Sequence, residues 1–538
     1  MSCVPESESA LMPTTSKWIA RIAVASALVV AAAASPMLAE APGAAKSATK
    51  EAAADAAKPA GPAERLEETS HTLRLGGATI AYRALAGEMV IRDREEKPTA
   101  KIFYVAYLAK SDAGAAHRPL TFVFNGGPGA SAAWLHLGAF GPKRLRLAED
   151  GSPVGPPFDL TDNPATLLDL TDLVFVDPVS TGYSRTVEGQ KADPFLEVHG
   201  DVESMGEFIR LFATRQNRWG SPIFLAGESY GTIRAAGLVD YLARRFSLYC
   251  NGVVLLSEAL NEATFQNQPG NDLPYLVGLP SLAAVAWYHK KLEPGLESLT
   301  LDQVIAQASD FALGPYADAL LRGAALPDAK RREVVSQLAR FTSLSSDEIE
   351  RRDLRIDSQS FTQLLLQPER RQIGLLDGRF SGFLNAPPAE TFGPQYLYPV
   401  FDPFYAQVAG AFAAGFQQLL RDDLGFTADE RYETLALPVA GAWDYSRVTN
   451  RYLYAADNLR AALTSNPKLR VFVANGDFDL VTTHLAAEYV IDHLGLDPRL
   501  RGNLTLAHYP AGHMMYLHEP SLRKLKRDLE SFYRTAAP

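Results

Sequence analysis

The stretch that constrains the fold most is 227–231, with the sequence Gly-Glu-Ser-Tyr-Gly. A short apolar run, 222–226, precedes it, and residues 232–242 follow with apolar side chains at helical spacing. Strand, Gly-x-Ser-x-Gly and helix in this order predict a nucleophile elbow, a sharp turn that presents the serine hydroxyl above a sheet. A β-carbon on either side of Ser229 would clash in so tight a turn, which explains the two glycines. The alternative is an ordinary glycine-rich turn with an incidental serine.

Strand-like and helix-like runs alternate around the elbow. Residues 70–110 contain runs in which polar and apolar side chains alternate, as in antiparallel strands with one wet face. Denser apolar runs at 119–124, 172–178 and 252–257 are typical of strands covered on both faces. Because helical segments separate the later strands, the sequence predicts an α/β fold with a mixed, mostly parallel central sheet and helices on both faces.

The alternation of strands and helices stops near residue 258 and resumes at 469–474. The intervening residues carry helical periods and few strand-like runs, which predicts a large, mainly helical cap inserted between two strands of one sheet. A separate domain is the alternative, but resumption of the same pattern favours a cap. The predicted organisation is a signal peptide at 1–41, an Ala/Pro/Lys-rich linker at 42–65, the first part of the core at 66–259, the cap insertion at 260–437 and the second part of the core at 438–538.

The N-terminus indicates export. Lys17 and Arg21 precede an apolar stretch, 22–34, that is too short for a comfortable membrane span. We therefore expect a cleaved signal peptide, a periplasmic or secreted protein and no stable membrane span after cleavage, with an uncleaved anchor as the alternative. The net charge of -10 and the absence of a long run of Lys and Arg predict no nucleic-acid partner.

The partners that a serine nucleophile needs follow the elbow in the expected order. A serine needs an adjacent base oriented by a carboxylate, and in this topology the order is serine, acid, histidine. The predicted strand at 469–474 runs into a loop with Asp477 and Asp479, and a later strand runs into a loop with His513. We predict Ser229 as nucleophile, Asp479 as acid and His513 as base.

Other side chains on these two loops compete for the same roles. Asp479 sits deeper in the turn than Asp477, which we expect to brace the loop by accepting backbone hydrogen bonds. His513 follows a Pro-Ala-Gly turn that can project it over the strand ends, whereas His508 is close to the strand and His518 opens the next helix. No pair of these histidines has the helical spacing with a carboxylate that is typical of a zinc site, so we predict no metal and no cofactor.

An oxyanion hole and a carboxylate-binding pair complete the predicted site. The N–H group of Tyr230, directly after the nucleophile, and one from the glycine-rich loop 125–129 are expected to stabilise the oxyanion. Glu228 is unusual beside a nucleophile, because a charged carboxylate there would repel anionic intermediates. A protonated Glu228 can instead donate to a substrate carboxylate, together with the amide of Asn125. A structural salt bridge is the alternative role for Glu228.

Five ordered blocks resemble those of the serine carboxypeptidase family, and they stand at 125–131, 177–184, 227–231, 476–479 and 512–514. The resemblance implies the α/β-hydrolase fold and serine-type carboxypeptidase activity without a cofactor. It also implies that the N–H groups of Gly127 and Tyr230 form the oxyanion hole. Asn125, Gly126 and Glu228 would then bind the free C-terminal carboxylate of a peptide substrate.

Three functions follow from these residues. The first is a serine-type carboxypeptidase that cleaves C-terminal peptide bonds through an acyl-enzyme intermediate. An esterase or acyltransferase on the same triad is the second, and a catalytically inactive binding module is the third. The signal segment, the lack of a cysteine pair for a disulfide after cleavage, and Ala130 where eukaryotic members usually carry cysteine resemble a bacterial branch of the family.

Overall fold

The computed structural model describes residues 62–537 apart from 112–113, 115–116, 385–401 and 449. The predicted signal peptide and most of the predicted linker therefore lie outside the described residues. Within these limits no helix is both long enough and apolar enough to cross a membrane.

A ten-stranded sheet forms the centre of the molecule. Its path is β1-β2-β3-β7-β4-β9-β10-β13-β14, and β8 pairs with β3. The strands of the described residues are β1 (Leu66–Leu75), β2 (Ala78–Arg92), β3 (Pro98–Ala109), β4 (Leu120–Phe124), β5 (Lys143–Leu145), β6 (Leu160–Asp162), β7 (Asp172–Val176), β8 (Arg185–Thr186), β9 (Ile223–Glu228), β10 (Gly252–Leu256), β11 (Arg371–Ile373), β12 (Ser381–Phe383), β13 (Arg470–Gly476) and β14 (Leu504–Tyr509).

The relative direction of neighbouring strands changes at β7. The pairs β1-β2, β2-β3 and β3-β7 are antiparallel, whereas every pair from β7 through β4, β9, β10 and β13 to β14 is parallel. The predicted mixed, mostly parallel sheet is therefore confirmed. Because parallel strands end at the same edge, the loops after β4, β9, β10, β13 and β14 converge there.

Helices cover both faces of the sheet. The described chain has α1 (Ala133–Leu135), α2 (Val198–Arg215), α3 (Tyr230–Phe246), α4 (Leu273–Tyr288), α5 (Pro294–Glu297), α6 (Leu301–Phe311), α7 (Ala317–Arg322), α8 (Asp328–Thr342), α9 (Ser346–Arg351), α10 (Ser358–Leu364), α11 (Pro403–Gln418), α12 (Leu437–Ala442), α13 (Ala456–Ser465), α14 (His484–Asp492) and α15 (Glu519–Ala536). One apolar layer contains side chains of α2, α3, α13 and α14, and the other contains side chains of α1, α11 and α15. Successive residues of β4 alternate between the layers, with Phe122 in the first and Val123 in the second.

The chain between β10 and β13 is mostly helical where it is described, apart from the antiparallel hairpin of β11 and β12. Its helices α4, α6 and α8 share an apolar cluster of their own. Phe478 and Leu480, from the loop after β13, also belong to this cluster. The inserted region therefore packs directly against the loop that carries the predicted catalytic acid, while its boundaries at 260–437 stay a prediction.

Candidate active site

Ser229 occupies a strained turn between β9 and α3. Its backbone has φ 57 and ψ -129, a conformation that a non-glycine residue adopts only when its surroundings enforce it. The Ser229 N–H donates to the Leu256 carbonyl at 2.9 Å, which ties the turn to the end of β10. A Cβ on Gly227 would lie 2.0 Å from the Gly231 carbonyl oxygen, so the turn leaves no room for a side chain there. This is the geometry of a nucleophile elbow.

His513 and Asp479 form a buried acid–base pair. The His513 Nδ1 and the Asp479 Oδ2 are 2.7 Å apart, and Asp479 is fully buried. The Asp479 carboxylate also accepts hydrogen bonds from the Val481 N–H at 2.8 Å and from the Thr482 N–H at 3.1 Å. Burial disfavours the charged imidazole, but the charge and hydrogen bond of Asp479 more than offset this, so the pKa of His513 is raised. The pair can therefore take and hold a proton.

The serine and the histidine are fastened to the same strand end. Ser257, which directly follows β10, donates its hydroxyl to the His513 carbonyl at 2.6 Å, one residue beyond the anchor of Ser229. Among the described contacts no hydrogen bond joins the Ser229 hydroxyl to the imidazole. Catalytic hydrogen bonds are often long in unliganded enzymes and tighten when substrate binds.

The other candidates for the acid and the base, Asp477, His508 and His518, contact groups outside the acid–base pair. The Asp477 N–H donates to the Tyr509 carbonyl at 2.9 Å, but its carboxyl accepts no hydrogen bond from the described residues. The expectation that Asp477 braces the loop is therefore wrong, because Asp479 accepts the backbone N–H groups of this turn. His508 pairs with Glu488 at 2.9 Å, and the His518 ring lies 2.7 Å from the Ser521 hydroxyl, so both point to partners outside the acid–base pair.

The glycine-rich loop lies directly against the elbow. A Cβ on Gly126 would be 2.5 Å from the Tyr230 nitrogen, and Gly127 has φ 103. The N–H groups of Gly127 and Tyr230 donate to no acceptor within the described part of the chain. Because Tyr230 begins α3, its N–H also lies at the positive end of the helix dipole. Two free donors near the nucleophile suit an oxyanion.

Asp177 holds the chain just after the glycine-rich loop, a role that the sequence did not reveal. Its Oδ1 accepts the Ala132 N–H at 2.8 Å, and its backbone carbonyl accepts the Ser184 hydroxyl at 2.6 Å. Burial raises the pKa of Asp177 to about 7. Its place inside the block 177–184 was the available signal, because that block follows the strand next to β4.

Asn125 and Glu228 form the predicted polar pair. The Asn125 amide donates to the Glu228 Oε2, and its Oδ1 accepts the Leu135 N–H at 3.0 Å, which fixes the amide orientation. The Glu228 Oε1 is buried and accepts no hydrogen bond within the described residues. Burial raises the pKa of Glu228 to about 7, although His513 nearby partly opposes this. The pair therefore leaves one buried carboxyl oxygen next to Ser229 without a hydrogen-bond partner among the described residues.

Tyr516 extends this pair, and no sequence argument selected it. Its side chain is fully buried, and a Cβ on Gly138 would lie 2.5 Å from the ring Cε2, so the ring packs on the helical turn His136–Phe140. The hydroxyl makes no hydrogen bond of normal geometry within the described residues. Burial, and then the neighbouring Glu228, raise its pKa. Its position three residues after His513 was the signal that could have found it.

Comparisons with known proteins bear on the family and the fold. The profile of the serine carboxypeptidase family matches residues 87–250. Kex1(delta)p, a prohormone-processing carboxypeptidase from Saccharomyces cerevisiae, is 16% identical, with a TM-score of 0.52 over 84% of this chain and 91% of its own. A proline iminopeptidase from Mycobacterium smegmatis, 13% identical, aligns over 87% of this chain and 99% of its own with a TM-score of only 0.34. A search of curated proteins found no match.

These comparisons bear on two predictions. The family match confirms the resemblance to serine carboxypeptidases, and the similarity to Kex1(delta)p shows the fold, so the predicted α/β-hydrolase fold is confirmed as well. The bacterial branch stays a prediction. The roles of the individual site residues also stay predictions, now with a geometry that brings them together.

Proposed function

We propose that this chain, a peptidase-like serine hydrolase related to the serine carboxypeptidases, removes the C-terminal residue from peptides through an acyl-enzyme. The observation that carries the proposal is the free carboxyl oxygen of buried Glu228, held by Asn125 directly beside the nucleophile Ser229. Given the predicted signal peptide, the proposed place of action is the periplasm or the medium.

The proposed reaction uses each group in turn. His513 takes the proton of the Ser229 hydroxyl as the oxygen attacks the last peptide carbonyl, and Asp479 stabilises the imidazolium. The N–H groups of Gly127 and Tyr230 stabilise the oxyanion. The imidazolium then gives its proton to the departing amino acid, and a water molecule, deprotonated by His513, hydrolyses the acyl-enzyme.

Recognition of the free C-terminus depends on the proton of Glu228. A carboxyl group with a pKa of about 7 is largely protonated in mildly acidic solution, so it can donate to a substrate carboxylate. Above that pH the ionised side chain would repel the same carboxylate. An amidated peptide makes no such interaction, so the proposal predicts a preference for free C-termini that weakens as the pH rises.

The test compares matched peptides with free and amidated C-termini between pH 5 and 9. The ratio of their kcat/KM values cancels the titration of His513, which both substrates need. We expect this ratio to decline by up to about tenfold per pH unit above the pKa of Glu228. Glu228→Gln, neutral at every pH, should make the ratio independent of pH. Equal turnover of both peptides by the unmodified protein would instead favour an esterase or acyltransferase.

Glu258→Gln is the matched control. Glu258 is also buried and its pKa is raised to about 8, but its carboxyl accepts the Leu260 N–H instead of the Asn125 amide. We expect this variant to keep the decline of the unmodified protein. If Glu258→Gln changes the pH dependence of the ratio as much as Glu228→Gln does, the effect comes from the loss of any buried carboxyl and is not specific to Glu228.

A further inference from the structure

The segment 375–379 of the inserted region runs between the two loops that carry the acid–base pair. We call this segment the strap. Three backbone hydrogen bonds join it to these loops: Leu480 N to Leu375 O at 3.1 Å, His513 N to Leu376 O at 2.7 Å, and Gly378 N to Phe478 O at 2.9 Å. The strap thus bridges the acid loop and the base loop, and one of its carbonyls accepts the N–H of the catalytic histidine itself.

Asp377, in the middle of the strap, holds the turn before His513. Its Oδ2 accepts the Gly512 N–H at 3.1 Å and the Arg379 Nη2 at 2.6 Å, and its Oδ1 accepts the Arg379 Nε at 3.0 Å. Both side chains are almost fully buried. A Cβ on Gly512 would lie 2.4 Å from the Cβ of Asp377, so the strap and the turn are in the closest contact that glycine permits.

The strap is fixed from its other side by Asp402, which precedes α11. The Asp402 Oδ2 accepts the N–H of Leu375 at 2.6 Å and that of Leu376 at 3.4 Å. Its Oδ1 accepts the Tyr405 N–H at 2.8 Å and so caps α11, whose apolar side chains belong to a core layer of the sheet. The position of the strap relative to the sheet is therefore defined independently of the two loops.

We propose that the strap is a positioning element for the acid–base pair, with Asp377 as the residue that sets the backbone at 512–513. The inserted region would then supply part of the catalytic scaffold as well as a cover. Displacing a catalytic group by about 1 Å can lower the rate about 100-fold, so a small shift of this turn is enough to matter. The proposal rests on the proposed serine hydrolase chemistry, but it concerns only the placement of His513.

The titration of His513 reports this placement. Burial lowers the pKa of His513, but three acidic groups raise it: Asp479 on the acid loop, Glu228 at the end of β9 and Asp402 before α11. If the turn loosens, the 2.7 Å contact with Asp479 lengthens, and the pKa of His513 falls toward its ordinary value. A purely structural role of Asp377 would lower stability without this effect.

The experiment compares Asp377→Asn with Asp172→Asn in the full chain. Asp172 is an equally buried aspartate, paired with Arg218 at 2.5 Å. It is the first residue of β7 and therefore lies at the end of the parallel strands opposite to the elbow. Both changes weaken a buried ion pair, so both should lower stability. The His513 pKa is measured by NMR titration after histidine labelling, with His513→Gln to assign the signal, at a temperature where the variants are folded.

We expect the His513 pKa to fall in Asp377→Asn and to stay constant in Asp172→Asn. The rate of labelling by a fluorophosphonate should fall about 10- to 100-fold in the first variant and less than about twofold in the second. If Asp377→Asn does not fold, Asp377→Asn combined with Arg379→Met removes the unpaired buried cation and answers the same question. An unchanged His513 pKa in a folded strap variant would overturn the proposal. Absence of labelling in the unmodified protein would overturn the proposed function alone, since the NMR titration does not depend on it.

Discussion

The two sides of the candidate site differ in how the inserted region supports them. On the nucleophile side, Ser229 is tied to β10, and Gly126 lies against the Tyr230 nitrogen, so strands of one sheet position both loops. On the acid–base side, His513 and the acid loop bond to the strap, which belongs to the inserted region. The insertion also reaches the nucleophile side, where the Ala436 N–H donates to the Gly129 carbonyl at 2.8 Å. Among the described backbone hydrogen bonds, however, it bonds to His513 itself but not to Ser229.

This difference indicates where each side is sensitive to change. The groups on the nucleophile side depend on short-range features, such as a glycine in a crowded turn. Such a turn has almost no room for an added side-chain atom. Insertion-positioned groups depend on a longer chain of contacts, from α11 through Asp402 and the strap to His513. Removal of the Ser229 hydroxyl should therefore affect activity with little effect on stability, whereas changes in the strap should couple activity to the packing of the insertion.

Replacement of Ser229, the proposed nucleophile, should give the largest effect and tests the nucleophile side directly. Ser229→Ala should lower peptide hydrolysis by about 10⁴-fold or more, because the reaction loses its covalent step. Labelling by a fluorophosphonate should disappear, while the unfolding free energy should change little, since the side chain has no described hydrogen bond to lose. Labelling that persists in this variant would contradict the assignment of Ser229, and an unlabelled native protein would favour a binding module.

The glycine-rich loop should give the next largest effect. A Cβ on Gly126 would lie 2.5 Å from the Tyr230 nitrogen, so Gly126→Ala must push the loop away from the elbow. We expect kcat to fall about 10²- to 10³-fold with a smaller change in KM, because the oxyanion donors no longer converge. Gly410→Ala, in α11 with no atom within 4 Å of its added Cβ, is the control and should keep full turnover. Normal kcat in Gly126→Ala would contradict the oxyanion role of this loop.

The geometry of the nucleophile side could be predicted largely from the sequence, because its features lie in short blocks, whereas the roles of its residues stay predictions. The elbow needs glycine within two residues of Ser229, and the loop 125–129 shows its glycines in the same way. The order of serine, acid and histidine after successive strands also located Asp479 and His513. Local sterics and strand order leave a trace in the sequence, so these features could be inferred without a structure.

The supports of the acid–base side could not be predicted in this way. Asp377 is 100 residues before Asp477 and 135 residues before Gly512, and nothing in its local sequence marks the contact. Tyr516 was missed for a related reason, because its ring acquires a role only by packing on Gly138. The bracing role assigned to Asp477 was wrong since neighbouring carboxylates of one loop point to different surroundings, and spacing does not tell which one meets the backbone N–H groups.

Tyr516 offers a finer test of the nucleophile side. Tyr516→Phe removes a buried hydroxyl beside Glu228 and keeps the ring that packs on Gly138. We expect KM for peptides with a free C-terminus to rise about 3- to 10-fold, in the range of one hydrogen bond, with little change in kcat. Amidated peptides should be unaffected, and steady-state kinetics on both substrates measures this. An equal effect on both would show that the hydroxyl does not help to bind the carboxylate.

The last test compares one buried carboxyl from each side. The pKa values of Glu228 and Asp477 are both raised to about 7, chiefly by burial. Between their ordinary pKa values and 7, the folded protein binds more protons at these groups than the unfolded chain does. Stability should therefore be highest below that window and fall as the pH rises through it, by about 3 kcal/mol for Glu228 and about 4 kcal/mol for Asp477 over the whole window.

Urea unfolding at pH 5 and pH 8 measures this difference in the unfolding free energy. Glu228→Gln and Asp477→Asn, which cannot ionise, should each reduce the loss of stability between the two pH values. Asp497→Asn is the control, because the pKa of exposed Asp497 is lowered to about 2 and its titration lies outside the window. If only one of the two buried variants reduces the loss, the sides differ in electrostatics as well as in support. If neither does, both carboxyls are already ionised at pH 5, and the proton that Glu228 is proposed to donate to the substrate is absent.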